Sequence, residues 1–129
     1  MNTQVISYQN QETKLNVYYH NRTFWLTLEN ISKLFQSDIK SVFQTLKEIL
    51  QNEDLNEKSV NQHIEIPSQS GARLLANSYN LDIVMAIGYR LNVKEATRFR
   101  IWSMNIISKG INLQNSLTKF AKQALLSIF

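Results

Sequence analysis

Residues 4–26 alternate between apolar and polar side chains, a period that predicts β-structure. The β-branched or aromatic residues Val5, Ile6 and Tyr8 come first, and Leu15, Val17 and Tyr19 then alternate with Asn16 and Tyr18. The apolar run Phe24, Trp25 and Leu26 follows. Polar residues at 10–12 and at 20–22 predict two turns. The segment is therefore expected to form short strands connected by tight turns.

The apolar period lengthens to three and four residues after Thr27, a residue type suited to capping a helix. A first helix over residues 28–35 is interrupted for only a couple of residues at 36–37. A second helix follows, with Asp38 early in its first turn, where a carboxylate complements the helix dipole. The expected apolar face of this second helix is Ile39, Val42, Phe43, Leu46, Ile49 and Leu50.

A polar, acidic loop at residues 52–59 precedes a predicted hairpin at residues 63–79. Ile64 and Ile66 alternate there with polar residues, and residues 67–71 supply the turn. The order of strands, helix, helix and hairpin predicts an α+β domain that resembles a winged helix-turn-helix, with N-terminal β-strands and C-terminal helices.

Further helices follow the hairpin. We expect one helix capped by Asn80 and a second that starts at Asn92 and ends before Gly110. These elements predict one domain over residues 1–110. Residues 111–129 predict an amphipathic helix that packs on this domain or forms a dimer interface. Its apolar positions are Leu113, Leu117, Phe120, Ala121, Ala124, Leu125 and Ile128.

The composition favours a folded domain in a reducing compartment. Hydrophobic residues make up 43% of the 129 residues, and there is no cysteine for a disulfide or a thiolate metal site. No apolar run approaches the roughly 20 residues needed to cross a bilayer. The polar N-terminus lacks the features of a signal peptide. We therefore expect a cytoplasmic soluble protein that does not associate with membranes.

The net charge of +4 is unevenly distributed along the chain. Residues 1–60 carry six Lys and Arg against seven Asp and Glu, whereas residues 61–129 carry eight against three. Such asymmetry can mark a surface that faces nucleic acid. A composition rich in Lys, Asn and Ile, typical of an AT-biased genome, is the alternative explanation.

The two helices between residues 28 and 50 have the layout of a helix-turn-helix motif, in which the second helix enters the DNA major groove. Its outward face is expected to bind DNA through side chains that hydrogen-bond bases or phosphates: Lys40, Ser41, Gln44, Thr45 and Lys47. Arg73 would lie on the hairpin, as on a wing. The alternative is a pair of packed amphipathic helices with a solvated polar face.

A second group of cations lies in the helices after the hairpin. Lys94 and Arg98 are four residues apart and so share one stripe of a helix, where they could bind phosphates. Arg90 and Arg100 are flanked by large apolar residues. They are candidates either for internal pairing with a carboxylate or for phosphate binding.

Catalytic chemistry finds little support. His63 and Glu65 match the H-x-E of zinc deaminases only superficially, because the P-C-x-x-C that should follow requires cysteine. A zinc site from His20, His63 and a carboxylate stays open as an alternative. The three glycines, at 71, 88 and 110, form no phosphate-binding loop. We expect no enzyme and no cofactor, with a hydrolase that uses unidentified carboxylates as the remaining alternative.

Two blocks in the second half resemble a known family. They are Gly88-Tyr89-Arg90, at the end of an aliphatic helix, and Thr97-Arg98-Phe99-Arg100-Ile101-Trp102. Both are similar to the signature of the RhuM family, virulence-associated proteins of bacterial mobile elements. Further similar blocks, in the same order, are Trp25–Thr27, Leu34–Phe35, Leu55–Val60 and Tyr79–Leu81.

The resemblance spans roughly residues 5–112, and it departs from the family at Gln36, where relatives tend to have glycine. It implies a domain akin to the DNA-binding domains of phage regulators and antirepressors, and it implies no particular reaction.

These features predict a non-enzymatic regulatory protein of a phage or mobile element that binds double-stranded DNA. The competing hypothesis is a protein-binding module that inhibits or tethers a host or phage protein through its apolar C-terminal helix. A homodimer formed through that helix would serve either function, because two-fold DNA sites require two-fold proteins.

Overall fold

The computed structural model describes residues 3–52, 57–68 and 70–109. The described elements, in chain order, are β1 (Gln4–Gln9), β2 (Lys14–His20), β3 (Thr23–Thr27), α1 (Leu28–Phe35), α2 (Ile39–Asn52), α3 (Glu57–Val60), β4 (Asn61–Pro67), β5 (Arg73–Asn80), α4 (Leu81–Leu91) and α5 (Val93–Ser108). The fold is α+β, as the sequence predicts, and the five strands of the described residues form one antiparallel sheet.

Two tight turns connect the first three strands. The side chain of Asn10 organises the β1–β2 turn, because its Oδ1 accepts hydrogen bonds from the backbone N–H groups of Glu12 (3.0 Å) and Thr13 (2.8 Å). Asn21 and Arg22 connect β2 to β3 with φ angles of 51° and 66°. A two-residue hairpin with both central residues at positive φ matches the right-handed twist of the strands.

The strand order β1-β2-β3-β5-β4 places the β4–β5 hairpin at one edge of the sheet. Among the described residues, β5 pairs with β3 only near its end, from Ser78 to Asn80. The pairing of β4 with β5 continues outward to Pro67 and Arg73. Residues 63–67 and 73–77 therefore extend past the end of β3 as a two-stranded ribbon, about 16 Å long at roughly 3.3 Å per residue.

Both faces of the sheet carry buried side chains. On one face Tyr18, Trp25 and Ile64 form a cluster, with the partly buried Ile66 packed against it. Because side chains alternate along a strand, the neighbouring Val17 and Leu26 belong to the opposite face, where both are fully buried. Helices α1 and α4 pack against the central strands and supply further buried residues to the core.

Side-chain caps start three of the helices where the sequence predicts them. Thr27 and Asn80 each accept a hydrogen bond at 3.2 Å from the backbone N–H three residues further on, and so cap α1 and α4. Asn92 accepts from the N–H of Glu95 at 3.3 Å and starts α5. Each side chain satisfies a backbone donor that has no partner inside its helix, which fixes the point at which the helix begins.

The chain divides into two compact units, with the boundary between Ala96 and Thr97 inside α5. The first unit contains the five strands and α1 to α4, and of the second unit the structure describes residues 97–109. The predicted C-terminal helix, with its interface positions Leu113, Leu117, Phe120, Ala124, Leu125 and Ile128, lies outside the described residues. In the described part of the chain, no helix is both long enough and apolar enough to span a membrane.

Candidate nucleic-acid interface

Helices α1 and α2 are joined by three residues, as the predicted layout of a short helix, a tight turn and a longer helix requires. Gln36 ends α1 with φ 53° and ψ 42°, a left-handed conformation that glycine adopts at little cost. The turn is closed by backbone bonds from the N–H of Gln36 to Lys33 O (3.3 Å) and from that of Ser37 to Ser32 O (3.1 Å). The sequence therefore makes a tight turn without glycine, with the glutamine in a strained conformation.

Asp38 caps α2 and lies just before it, one position earlier than the first turn in which the sequence predicts it. Its carboxylate accepts hydrogen bonds from the backbone N–H of Ser41 (2.8 Å) and from the Ser41 hydroxyl (3.1 Å). The backbone bond, followed by the hydroxyl bond, lowers the pKa of Asp38. Ser41 is half-buried, and its hydroxyl proton is committed to the cap rather than to a ligand.

Lys40, Gln44 and Lys47 lie on the solvent-exposed side of α2, as predicted. We call this side, together with Phe43, the outer face of α2. The Lys47 ammonium nitrogen lies 5.6 Å from the centre of the Phe43 ring, within the range of a cation–π contact. The amide nitrogen of Gln44 lies 3.5 Å from a carboxylate oxygen of Glu48, a long hydrogen bond that an incoming ligand can replace.

Thr45 is only 8% exposed, so its predicted place among the outward-facing residues is wrong. It lies three residues after Val42 and four before Ile49, both fully buried, and therefore falls in the middle of the stripe that packs on the protein. The spacing in the sequence could therefore have placed Thr45 on the buried side of α2.

Ile39 and Phe43 are 46% and 47% exposed, so their predicted place in the apolar face is also wrong. The buried stripe of α2 consists of Val42, Thr45, Leu46 and Ile49. Successive helix positions differ by about 100°, so Ile39 and Phe43 lie on the flank of this stripe and face solvent. Sequence reasoning missed both as candidate contact residues.

The predicted hairpin is present, with Arg73 at the first residue of β5. Arg73 is exposed and its Nε lies 3.6 Å from Oε1 of Glu65, so its charge has a partner across the ribbon. Leu74 and Leu75 are also exposed, at 53% and 70%, on opposite faces of the ribbon.

The ribbon and the α1–α2 turn lie at the same end of the sheet. The side chain of Gln36 donates to Glu12 Oε2 at 3.0 Å, which ties the α1–α2 turn to the β1–β2 turn. That turn lies at the end where β3 passes into α1, and the ribbon extends past this same end. Arg22, in the β2–β3 turn, lies at the opposite end of β3.

The second predicted group of cations is exposed. Lys94 lies in the first turn of α5, within the first unit, and Arg98 lies one turn later, in the second unit. Arg90 is exposed at the end of α4. Arg100 is also exposed, and its guanidinium lies 3.4 Å from the sulfur of Met104. Both arginines are therefore exposed rather than internal, and their role in carboxylate pairing or phosphate binding stays a prediction.

The histidines that left a zinc site open are in different environments. His20 is buried, with its Nδ1 3.4 Å from the Thr3 hydroxyl, whereas His63 is exposed on β4. In the part of the chain that the structure describes, no group of three or more His, Cys, Asp or Glu could hold a metal ion. Glu95 carries a buried carboxylate, which accepts a hydrogen bond from the side-chain amide of Asn10 at 3.1 Å.

No protein-family model, curated protein or solved structure matches this chain. The resemblance to the RhuM family therefore stays a prediction from the sequence blocks.

Proposed function

We propose that this chain is a DNA-binding domain of the winged helix-turn-helix type, in which α2 lies in the major groove and the β4–β5 ribbon acts as the wing. The observation that supports this most directly is the outer face of α2. It presents Lys40, Gln44 and Lys47 to solvent immediately after a three-residue turn, while the opposite side of the helix is buried.

The dimensions and chemistry of α2 suit this role. Its 14 residues give a helix about 21 Å long, and an α-helix fits the major groove, which is about 12 Å wide. Two ammonium groups can bind phosphates on either side of the groove, and a glutamine amide can pair with both N6 and N7 of adenine. Lys40 and Lys47 take the first role in the proposal, and Gln44 takes the second.

The ribbon supports the proposal through its position. It leaves the sheet at the end where the α1–α2 turn lies, so both elements can approach one duplex. Arg73 is exposed, and an exposed ion pair such as that with Glu65 contributes little stability, so Arg73 can exchange Glu65 for a phosphate.

The resemblance to the RhuM family supports a regulatory role in a phage or mobile element, exerted in the cytoplasm without catalysis. Lys94 and Arg98 are assigned to phosphate contacts in this proposal. A homodimer on a two-fold site completes it, because paired domains read paired half-sites.

The first test is binding of the full chain to a pool of duplexes of random sequence, followed by selection of the tightest ligands. Phosphate contacts predict measurable binding at about 50 mM salt that weakens steeply towards about 200 mM. Base contacts predict that selection enriches a defined site. Absence of binding to any duplex at low salt would contradict the proposal.

A further inference from the structure

Two large apolar side chains of α2 are exposed to solvent. Packing in the core therefore does not explain why these positions are apolar. Phe43 and Ile39 are one helical turn apart, and each leaves almost half of its surface in water. Scattered exposed apolar residues are ordinary on protein surfaces. These two differ because they adjoin the hydrogen-bonding and cationic residues of the same helix.

Phe43 contacts a cation one helical turn further on. The Lys47 ammonium group lies over its ring, so the aromatic side chain and the cation occupy one side of the helix together. Lys40, one residue after Ile39, is exposed as well. Along the helix Phe43 therefore lies between the cations Lys40 and Lys47, with Ile39 one turn before it, an arrangement that complements an apolar feature lying between phosphates.

We infer that Phe43, with Ile39 before it, recognises the 5-methyl groups of thymines in the DNA major groove. This inference rests on the proposed function. The 5-methyl of thymine is the group that offers apolar side chains such as Phe a favourable contact on the floor of that groove, where the other edge groups are mostly hydrogen-bond donors and acceptors. The site selected by this protein should therefore contain thymine at the positions that face the first half of α2.

The neighbouring side chains extend this specificity. Gln44 follows Phe43 directly and is exposed, so it can pair with an adenine close to the thymine that Phe43 contacts. Lys47 can bind a phosphate from its place above the ring. The combination predicts a site rich in A·T pairs that is read through its base edges.

The test compares the selected duplex with a series of duplexes in which one thymine at a time is replaced by deoxyuridine, which lacks only the methyl group. One or two of these replacements should weaken binding of the native chain by about fourfold each, because the burial of one methyl group is lost. The chain with Phe43→Ala should bind the thymine duplex more weakly and should lose the discrimination between thymine and deoxyuridine at the position that Phe43 contacts. Phe43 is half-exposed, so this variant is expected to keep its fold, and its thermal unfolding serves as the check.

Each result separates this inference from the proposed function. Binding that is salt-dependent and site-selective but indifferent to every deoxyuridine replacement would overturn the inference alone. If Phe43→Ala leaves DNA affinity unchanged and instead converts a dimer to a monomer, Phe43 is a subunit contact and the inference is wrong. If no duplex binds, the inference and the proposed function fall together.

Discussion

The ring of Phe35, at the end of α1, occupies the space that a β-carbon on Gly88 of α4 would need. An ideal β-carbon built there would overlap the ring tip, and it would lie 2.8 Å from Cε1 of the same ring. The β-carbon of Ala96 would lie 2.7 Å away. The glycine of the Gly88-Tyr89-Arg90 block therefore has a packing reason, since it lets α4 approach α1 and the start of α5.

Gly88→Ala should destabilise the protein by about 1–3 kcal/mol, because overpacking a rigid buried contact outweighs the roughly 1 kcal/mol that alanine gains in a helix. Urea unfolding measures the change. Phe35→Leu in the same chain should recover part of the loss, because leucine lacks the atoms that overlap. Gly71→Ala is the control: its φ is +88° with no atom within 4 Å, so its cost is backbone strain alone and Phe35→Leu should not relieve it.

Gln36→Gly should stabilise the protein by about 0.5–1 kcal/mol, because glycine adopts the left-handed conformation without the penalty that a side chain incurs. The exposed hydrogen bond to Glu12 that is lost contributes less than this strain. Gln44→Gly is the matched control, since the same replacement inside α2 should cost about 1 kcal/mol. Loss of stability in both variants would show that Gln36 is not strained.

Asp38 predicts a dependence of stability on pH. Its pKa is lowered in the folded state, so its stabilising contribution is complete above its unfolded value near 3.8 and is lost as pH falls through the lower folded value. Asp38→Ala should therefore destabilise the protein at neutral pH, and its difference from the native chain should shrink below about pH 4. Thermal unfolding across this range measures it. Ser41→Ala keeps the backbone N–H, which is the larger cause of the lowered pKa, and should therefore keep most of the pH dependence. A stability difference between Asp38→Ala and the native chain that does not change with pH would contradict the assignment.

Glu65→Gln should raise the affinity for duplex DNA a few-fold at low salt, because it removes a negative charge and leaves Arg73 available for a phosphate. The same change should alter stability by less than about 0.5 kcal/mol, since both side chains of the pair are substantially exposed. Arg73→Gln should lower the affinity, and the double variant should resemble Arg73→Gln. An affinity that is unchanged in Glu65→Gln would remove Arg73 from the proposed interface.

Local signals in the sequence predicted the elements of this fold well. Thr27, Asn80 and Asn92 each cap the helix that they were expected to cap, because a cap depends on residues three positions apart. The hairpins were predicted from alternating apolar and polar side chains and from turn residues, which are also local signals. The number of β5 residues that pair with β3 sets the length of the ribbon. It depends on contacts between distant parts of the chain, which a local sequence pattern does not record.

The candidate site was predicted in part. Lys40, Gln44 and Lys47 are exposed as expected. The limits of the buried stripe were predicted wrongly, because Thr45 is buried where it was expected to be exposed and Phe43 is exposed where it was expected to be buried. A threonine can be buried when it lies between Val42 and Ile49 on one side of a helix, and a phenylalanine can be exposed when a lysine covers its ring. Side-chain polarity alone suggests the opposite for both.

The salt dependence of DNA affinity tests the central claim, that the outer face of α2 binds DNA, most directly. The native chain, the double variant Lys40→Gln with Lys47→Gln, and Arg22→Gln, whose charge lies at the far end of β3, should be compared on one selected duplex. We expect the double variant to bind more weakly and to lower the slope of log affinity against log salt by about 2, while Arg22→Gln leaves both nearly unchanged. Equal slopes in the native chain and the double variant would contradict the account.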